Sequence, residues 1–421
     1  MRTALAALLL LTALASPAAA RESPRYGGEL IFVVPAEPPS YDAHREETFA
    51  IVHPAAPHYS TLLRVDPDDR TATRLVGDLA ESWSVSFVFV EYVRGSHWLG
   101  RRNPDYWDKG KPYLDGYRAV FIADTAAQVA AIRGQRAMIQ FRGFSPGNRD
   151  SLVRALGDKI AVQESPWACW NPLALNHERK PFDDRRVRRA LTLALDRYAG
   201  AQALSKITLL REITGVQGEG SPFAASPAEL EPLAGYGRDI ARSRAEARRL
   251  LREAGVPDGF AFTFKNRGIA NPYEALGVWL VDQWRQIGLR VRMETLELGI
   301  LYSDIRAGSF EVAADFHCSY LVEPDLALFK FQSMDVSPVN YGRYVDRVLD
   351  ELYQKQSRAT DRKERRRAIR EFERRLLHDE THFIYTFQWH RIVPHSARVR
   401  GWTITPSHFL NSQLDTVWLA E

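Results

Sequence analysis

Strand-like and helix-like segments alternate in the second half of this sequence. Residues 260–264 (FAFTF) and 289–293 (LRVRM) have the two-residue period of half-buried strands. Between them, apolar side chains recur at helical spacing, at Leu276, Leu280, Trp284 and Ile287. Strands and helices that alternate over such lengths predict an α/β layer arrangement.

Other segments repeat these two periods. Apolar runs bounded by turn residues predict strands at residues 29–34, 87–93, 117–122, 310–316, 383–387 and 416–419. Amphipathic spacing predicts helices at residues 48–63, 125–133, 187–198, 345–352 and 369–376. Capping residues predict where helices begin, namely Thr125, Asp183 or Asp184, and a capping box formed by Ser243 and Glu246.

Residues 94–118 (RGSHWLGRRNPDYWDKGKPYLDGYR) combine prolines, glycines and large aromatic side chains in one connection. Proline fixes φ, glycine permits a reversal, and the aromatic rings supply area to bury. These properties predict a rigid structural corner between a strand and the element that follows it.

Four short sequence motifs occur in the same order as in a known family. RNPDYW and GKPYLDG lie within residues 94–118, LAESW at residues 79–83 precedes them, and PFDDRRVRRAL at residues 181–191 follows. Together they resemble the dipeptide and oligopeptide class of extracellular solute-binding proteins, the receptors that supply ABC importers. The resemblance implies an α/β, two-lobed periplasmic binding protein of class II, with mixed sheets flanked by helices and two crossing strands.

The resemblance also implies domain boundaries and a gap. We expect domain I to comprise residues 21–172 and 388–421, and domain II residues 173–387, with crossing strands at residues 170–176 and 386–389. In the family, a long block of strands and helices follows LAESW. Here the chain passes near residues 84–87 directly into the strand at 87–93, so we expect domain I to lack a segment.

The N-terminus predicts export. Met1 and Arg2 precede an apolar run, residues 4–14, that is too short to span a bilayer, and residues 18–20 (AAA) offer a cleavage site. A signal peptide over residues 1–20, with no cysteine after it to carry a lipid, predicts a periplasmic protein. The net charge of +4 over 421 residues indicates no nucleic-acid partner, and we expect a monomer.

Two cysteines make one disulfide possible in an exported chain, the alternative being two buried thiols. They are Cys169 and Cys318. Oligopeptide receptors have a disulfide between comparable places, so the resemblance implies a bridge between these two residues.

Residues 317–325 (HCSYLVEPD) are similar to the W-x-x-D-Y-x-x-P ligand loop of the family. In oligopeptide receptors the aspartate of this loop pairs with the α-ammonium group of the ligand. Tyr320 stands at that place here, so ammonium capture would need Glu323 or Asp325. Side chains that could stack on or hydrogen-bond an amphipathic ligand are Tyr320, His317, Trp170, Glu323, Asn340 and Trp389. Core packing or a surface turn is the alternative for each.

Motifs of catalysis and metal binding are weak. The phosphate-loop motif G-x-x-x-x-G-K-[ST] does not occur, and we expect no enzymatic activity and no cofactor. His378 and His382 have the i,i+4 spacing of a metal pair, but a helix C-terminus explains them equally well, and we expect no metal site. The basic run at residues 361–367 (DRKERRR) predicts a solvated helix face.

The resemblance implies a receptor that captures a small ligand, such as a peptide or an opine, in the cleft between its lobes. A metal chelate stays open as a ligand. The receptor would close by a hinge motion and deliver the ligand to an ABC permease served by separate ATPase subunits. The alternative, which follows from the gap, is a non-transporting remnant or a scaffold protein with impaired ligand binding.

Overall fold

The computed structural model describes residues 22–38, 49–59, 63–68, 70, 75–77 and 85–421. The predicted signal peptide and the LAESW word lie outside the described residues. Across these described ranges, no helix is both long enough and apolar enough to cross a membrane.

Two strands are much longer than the others. In chain order the strands are β1 (Glu29–Val34), β2 (Leu63–Val65), β3 (Leu75–Gly77), β4 (Phe87–Val93), β5 (His97–Arg102), β6 (Gly116–Phe121), β7 (Ile160–Leu175), β8 (Leu210–Glu212), β9 (Ala261–Arg267), β10 (Arg290–Leu296), β11 (Val312–Ala314), β12 (His317–Cys318), β13 (Phe383–Ser396), β14 (Val399–Arg400) and β15 (Trp418–Leu419). The long ones are β7, with 16 residues, and β13, with 14 residues.

Most of the helices begin after a residue whose side chain accepts a backbone N–H of the first turn. The helices are α1 (Phe49–Ala55), α2 (Thr125–Arg133), α3 (Pro146–Leu156), α4 (Arg185–Leu193), α5 (Arg197–Leu204), α6 (Pro227–Leu230), α7 (Ile240–Glu253), α8 (Ala275–Arg285), α9 (Leu298–Ala307), α10 (Pro324–Phe329), α11 (Arg347–Arg358) and α12 (Arg362–Arg374). Shorter helical turns lie at Ala56–His58, Gly157–Lys159, Ala270–Glu274 and Arg375–Asp379.

A four-stranded sheet in the order β1-β6-β5-β4 is the centre of what we call the first lobe. β1 and β6 are parallel, whereas β6, β5 and β4 are antiparallel neighbours. Leu30 and Phe32 of β1 and Ala119 of β6 are fully buried in its core. β4, the strand that follows the expected gap, lies at the edge of this sheet and leaves Phe89 and Val90 exposed.

A larger mixed sheet in the order β10-β9-β11-β7-β13-β8, with β12 also paired to β7, is the centre of the second lobe. β10, β9 and β11 are parallel neighbours, and β7 and β13 are antiparallel. Ile139 joins the two sheets, because it bridges Phe32 of β1 on one side and His395 of β13 on the other. Of the residues expected in crossing strands, 170–175 lie within β7 and 386–389 lie within β13, whereas Asn176 follows the end of β7.

The two faces of the larger sheet carry separate hydrophobic cores, because successive side chains of a strand point to opposite faces. Leu173 and Leu175 of β7 pack in one core with Trp284 of α8. Trp170 and Ala174 pack in the other core, which includes the apolar face of α12. The α/β architecture predicted from the alternating periods is therefore built on both faces of one sheet.

The helix predicted over residues 48–63 is wrong in length. α1 ends at Ala55 and is followed by a 3-10 turn over Ala56–His58. Pro57 cannot donate the backbone hydrogen bond that a continuing helix would need. Farther along the chain, Leu63–Val65 forms the strand β2.

Two predicted helix caps are displaced toward the N-terminus. Asp124 caps α2 by accepting the backbone N–H of Ala127 at 2.7 Å, so the predicted cap Thr125 is the first helical residue. Asp239 likewise caps α7, which places Ser243 inside the first turn and removes the predicted capping box. In both cases an aspartate carboxylate that lies earlier in the chain accepts the free N–H groups in place of the predicted hydroxyl.

The helix predicted to run through Tyr198 is divided in two. Asp184 caps α4 as predicted, and α4 ends at Leu193. Asp196 then caps a separate helix, α5, that contains Tyr198.

Arg197 is a fully buried arginine that connects α5 to the larger sheet. It donates hydrogen bonds to the carbonyl oxygens of Tyr385 at 2.7 Å, Gly235 at 2.7 Å and Thr192 at 3.2 Å. Its guanidinium also lies 4.8 Å from the centre of the Tyr236 ring. Loss of this side chain would leave several buried carbonyl groups without a donor.

We therefore expect Arg197→Met to lower the free energy of unfolding by at least about 3 kcal/mol, because buried acceptors without partners are costly. Urea denaturation followed by tryptophan fluorescence measures this change. Arg242→Met, at an exposed position of α7, is the control and should change the free energy by less than about 0.5 kcal/mol. Equal effects of the two substitutions would contradict the structural role of Arg197.

Candidate ligand-binding site

A small cavity lies between the lobes, with a volume of about 20 Å³, close to the space that one water needs. Both lobes and both crossing strands contribute to its wall. The lining residues are Phe49, Arg142, Trp167, Arg267, Tyr273, Phe316, Cys318, Trp389 and His408. This set is aromatic and cationic, and it includes no carboxylate.

Two tryptophans of the crossing strands form one wall of the cavity. Trp167 of β7 and Trp389 of β13 are paired in register, and their rings meet edge to face at 5.0 Å. Trp389 donates its indole N–H to Asn171 Oδ1 at 2.6 Å, and Trp167 donates to His408 Nδ1 at 3.1 Å. These bonds fix both rings, so the wall is rigid.

Arg142 enters the cavity from the first lobe. It follows Phe141, which packs in the core of that lobe. Its guanidinium lies over the rings of Phe49 and Trp389 at 5.0 and 5.3 Å, and it donates to the carbonyl oxygen of Asn271 in the second lobe at 2.9 Å. Burial, together with the positive charge of Arg267, lowers the pKa of Arg142 to about 10, so it stays charged at neutral pH.

Arg267 enters the cavity from the second lobe, at the end of β9. It donates to Tyr273 Oη at 2.6 Å and lies over the rings of Tyr273 and Phe316 at 4.6 and 4.9 Å. Burial opposes its charge, but Tyr273, Tyr302 and Asp315 raise the pKa of Arg267. The cavity therefore contains a second permanent cation.

Arg142 also lines a larger chamber of about 340 Å³ that both lobes enclose. The first lobe contributes Glu37, Gln128 and Gln140, and the second contributes Asn271 among others. Polar side chains thus share this lining with apolar ones, and the chamber, unlike the inner cavity, includes carboxylates. A ligand with a compact charged end and a polar body would fit the two spaces together.

Among the six predicted ligand-contact residues, Trp389 lines the inner cavity. Trp170 and His317 are stacked on each other at 5.4 Å in the core of the second lobe. His317 Nδ1 is 2.7 Å from Tyr385 Oη, and Trp170 donates to Thr214 Oγ1 at 2.8 Å. These partners hold both residues as core side chains outside the lining of the cavity.

The other three predicted residues also lie away from the cavity lining. Tyr320 is 41% exposed and packs on Phe409 with ring centres 4.1 Å apart. Glu323 caps α10 and forms an ion pair with Arg365. Asn340 is buried and donates its amide to backbone carbonyl groups. A ligand-binding role for these residues stays a prediction.

A disulfide joins Cys169 of β7 to Cys318 of β12, with Cα atoms 4.0 Å apart. Both sulfurs lie near His408, which makes this trio the one possible metal-binding group among the described residues. Because the two sulfurs are joined in a disulfide, they cannot act as thiolate ligands of a metal. Of the histidine pair weighed for metal binding, His382 instead contacts the Asp346 carboxylate at 2.9 Å.

Sequence reasoning missed both cavity arginines. Arg142 and Arg267 each follow an apolar or strand-like run, in the words IQFRG and FKNRG. A charged residue directly before a glycine at a strand end is the one available signal, and it is too common to select these two. Their meeting depends on the packing of the lobes.

Burial lowers the pKa of His53 and His317 to about 3 each. The unfolded chain takes up these protons below pH 6.5, whereas the folded chain does not, so the free energy of unfolding falls as the pH decreases. For His317 alone we expect a loss of about 3 kcal/mol between pH 7 and pH 4.5. Urea denaturation of wild type and His317→Gln at both pH values tests this, and parallel losses would refute it.

The disulfide closes a loop of 149 residues, so its removal should release conformational freedom in the unfolded chain. We expect a double variant, Cys169→Ser with Cys318→Ser, to unfold with about 2–5 kcal/mol less free energy. Non-reducing peptide mapping identifies the bridge in the wild type. Two thiols that react freely with a thiol reagent in the unfolded, unreduced protein would contradict the pairing.

Comparison with known proteins identifies the family. Residues 84–332 match the model of bacterial extracellular solute-binding proteins, family 5 Middle. The probable di/tripeptide-binding protein 5 of Pseudomonas aeruginosa is 24% identical over 364 residues, which are 85% of this chain and 64% of that protein. The chain thus spans a little less than two thirds of this relative. The segment expected to be missing from domain I stays a prediction.

Solved structures share the fold. The periplasmic binding protein DppA from Helicobacter pylori, in complex with the peptide STSA, superposes with a TM-score of 0.80 at 17% identity, over 94% of this chain and 99% of that one. AgaA of A. tumefaciens R10, in complex with agropinic acid, gives 0.69 at 19% identity, over 80% and 67%. The fold is that of two-lobed periplasmic binding proteins. Because the family model covers more than half of the chain, the chain belongs to family 5 of the bacterial extracellular solute-binding proteins.

Proposed function

We propose that this protein is the substrate receptor of an ABC importer and binds a small ligand that carries a carboxylate. The observation that supports this proposal is the pair of buried arginines in a cavity whose lining includes no carboxylate. A buried guanidinium is stable only with a partner of opposite charge or with several acceptors. A ligand carboxylate supplies that partner in bidentate geometry.

Peptides and opines are the ligand classes we favour. The relatives described above are named for di- and tripeptides, for the peptide STSA and for agropinic acid. Small peptides end in a carboxylate, and the chamber of about 340 Å³ beside Arg142 suits a body of that size. Tyr320, which stands where the family has its ammonium-binding aspartate, supplies no negative charge. We therefore propose that recognition depends mainly on the carboxylate end.

We propose that the lobes move relative to each other during transport. The lobes rotate about β7 and β13, and the ligand stabilises the closed state through contacts with both lobes at once. The protein would be exported by its signal peptide, act as a monomer in the periplasm without catalytic activity, and deliver the ligand to permease subunits with separate ATPases.

A second candidate is a non-transporting remnant or scaffold protein. It is favoured by the edge position of β4, whose exposed Phe89 and Val90 lie beside the expected gap. Such a protein would have a cleft that no longer binds a ligand.

Isothermal titration with di- and tripeptides, opines and sugars distinguishes the two candidates. A receptor gives saturable heat with at least one carboxylate-bearing compound and none with neutral sugars. Trp389→Phe should then weaken binding about tenfold, because the indole ring lines the cavity. Trp98→Phe, on the first-lobe sheet outside the cavity, is the matched control. No heat with any compound would favour the remnant.

A further inference from the structure

The two cavity arginines come from opposite lobes. Arg142 lies beside the core of the first lobe, and Arg267 ends strand β9 of the second lobe. Each side chain is 4% exposed, and both line the same cavity of about 20 Å³. Closure of the lobes therefore brings two positive charges into one small desolvated space.

Neutral groups are the recorded partners of both guanidiniums. Arg142 donates to the carbonyl oxygen of Asn271, and Arg267 donates to the hydroxyl group of Tyr273. Neither arginine forms an ion pair with a carboxylate in the part of the chain that the structure describes. Aromatic rings complete the two environments.

The acidic residue whose charge interacts with Arg267 is Asp315, and its carboxylate already has other partners. Asp315 is fully buried, and its carboxylate lies 2.7 Å from Lys330 Nζ. Tyr302 also donates its hydroxyl to Asp315 at 3.3 Å. The lining of the cavity thus carries two cations, Arg142 and Arg267, and no carboxylate.

Like charges repel more strongly in a space without water than at a surface. The excess positive charge opposes closure, since Arg142 and Arg267 approach each other only when the lobes meet. An anionic group between them reverses the sign of this interaction and is held from both sides. Closure of the lobes then depends on the charge of the ligand.

We propose that Arg142 is the residue that determines specificity for a negatively charged ligand, because its repulsion by Arg267 keeps the lobes apart until an anionic group joins them. This inference rests on the proposed receptor function. It adds that charge, rather than shape, decides whether the receptor closes. A neutral analogue of the same size would bind one lobe without closing the cleft.

A charge series at position 142 tests the proposal without any ligand. Spin labels at Lys109→Cys and Arg252→Cys, on the surfaces of the first and second lobes, report the distance between lobes by pulsed electron paramagnetic resonance. Arg142→Lys keeps the charge and should retain the wild-type distribution. Arg142→Met should shift it toward shorter distances, and Arg142→Glu, which can pair with Arg267, should shift it further. Arg154→Met, at an exposed site of α3, is the control.

A merely structural role of Arg142 predicts a different result. Loss of its bond to Asn271 would open the lobes or broaden the distribution, so Arg142→Met would move toward longer distances. That outcome, or an unchanged distribution, overturns the proposal. Thermal melting of each variant identifies any that fail to fold, and the comparison of the Lys and Met variants decides the question if the Glu variant is among them.

A ligand pair provides the second test. The dipeptide Ala-Leu and its C-terminal amide differ at the carboxylate and match in shape. We expect the amide to bind roughly 10- to 100-fold more weakly and to leave the lobes apart, and we expect Arg142→Met to reduce this preference. If both bind equally well, the receptor function stands and the inference fails. If neither binds, dipeptide binding fails, and the ligand-free series still decides the role of Arg142.

Discussion

The antiparallel pairing of β7 with β13 is the interaction on which the rest of the structure depends. One end of this ribbon pairs with β11 in the second lobe, and the other end reaches Ile139 and the core of the first lobe. Side chains add hydrogen bonds across the ribbon, as where Thr386 donates its hydroxyl to the carbonyl oxygen of Asn171. Both lobes are therefore extensions of one two-stranded element, and both walls of the cleft take their orientation from it.

Buried arginines in this protein divide into two kinds. Arg197 and Arg188 each donate to several backbone carbonyl groups and hold segments together. Arg142 and Arg267 face a cavity, and their recorded acceptors are a single neutral group each. The same residue type thus stabilises the fold in one setting and leaves a charge available in the other. The second setting connects the fold to recognition of an anionic ligand.

Local patterns in the sequence predicted most of the elements and few of the site residues. β1 and the core face of α8 follow from apolar spacing, which depends on near neighbours in the chain. The cavity joins residues as far apart as Phe49 and His408, so no local pattern marks it. Trp389 was predicted because the family resemblance placed it on a crossing strand. Trp170 was predicted for the same reason, but the alternation of the strand turns it toward the opposite core.

The ribbon has a consequence for how the chain acquires its structure. The first lobe contains β1, which lies near one end of the sequence. It also contains β14 and β15 and contacts the end of β13 at Ile392–His395, all near the other end. A ribosome supplies the first part long before the last, so the first lobe cannot complete its core until nearly all residues have been made. The second lobe waits as well, because β13 lies at the centre of its sheet. Such a high separation between pairing partners slows folding.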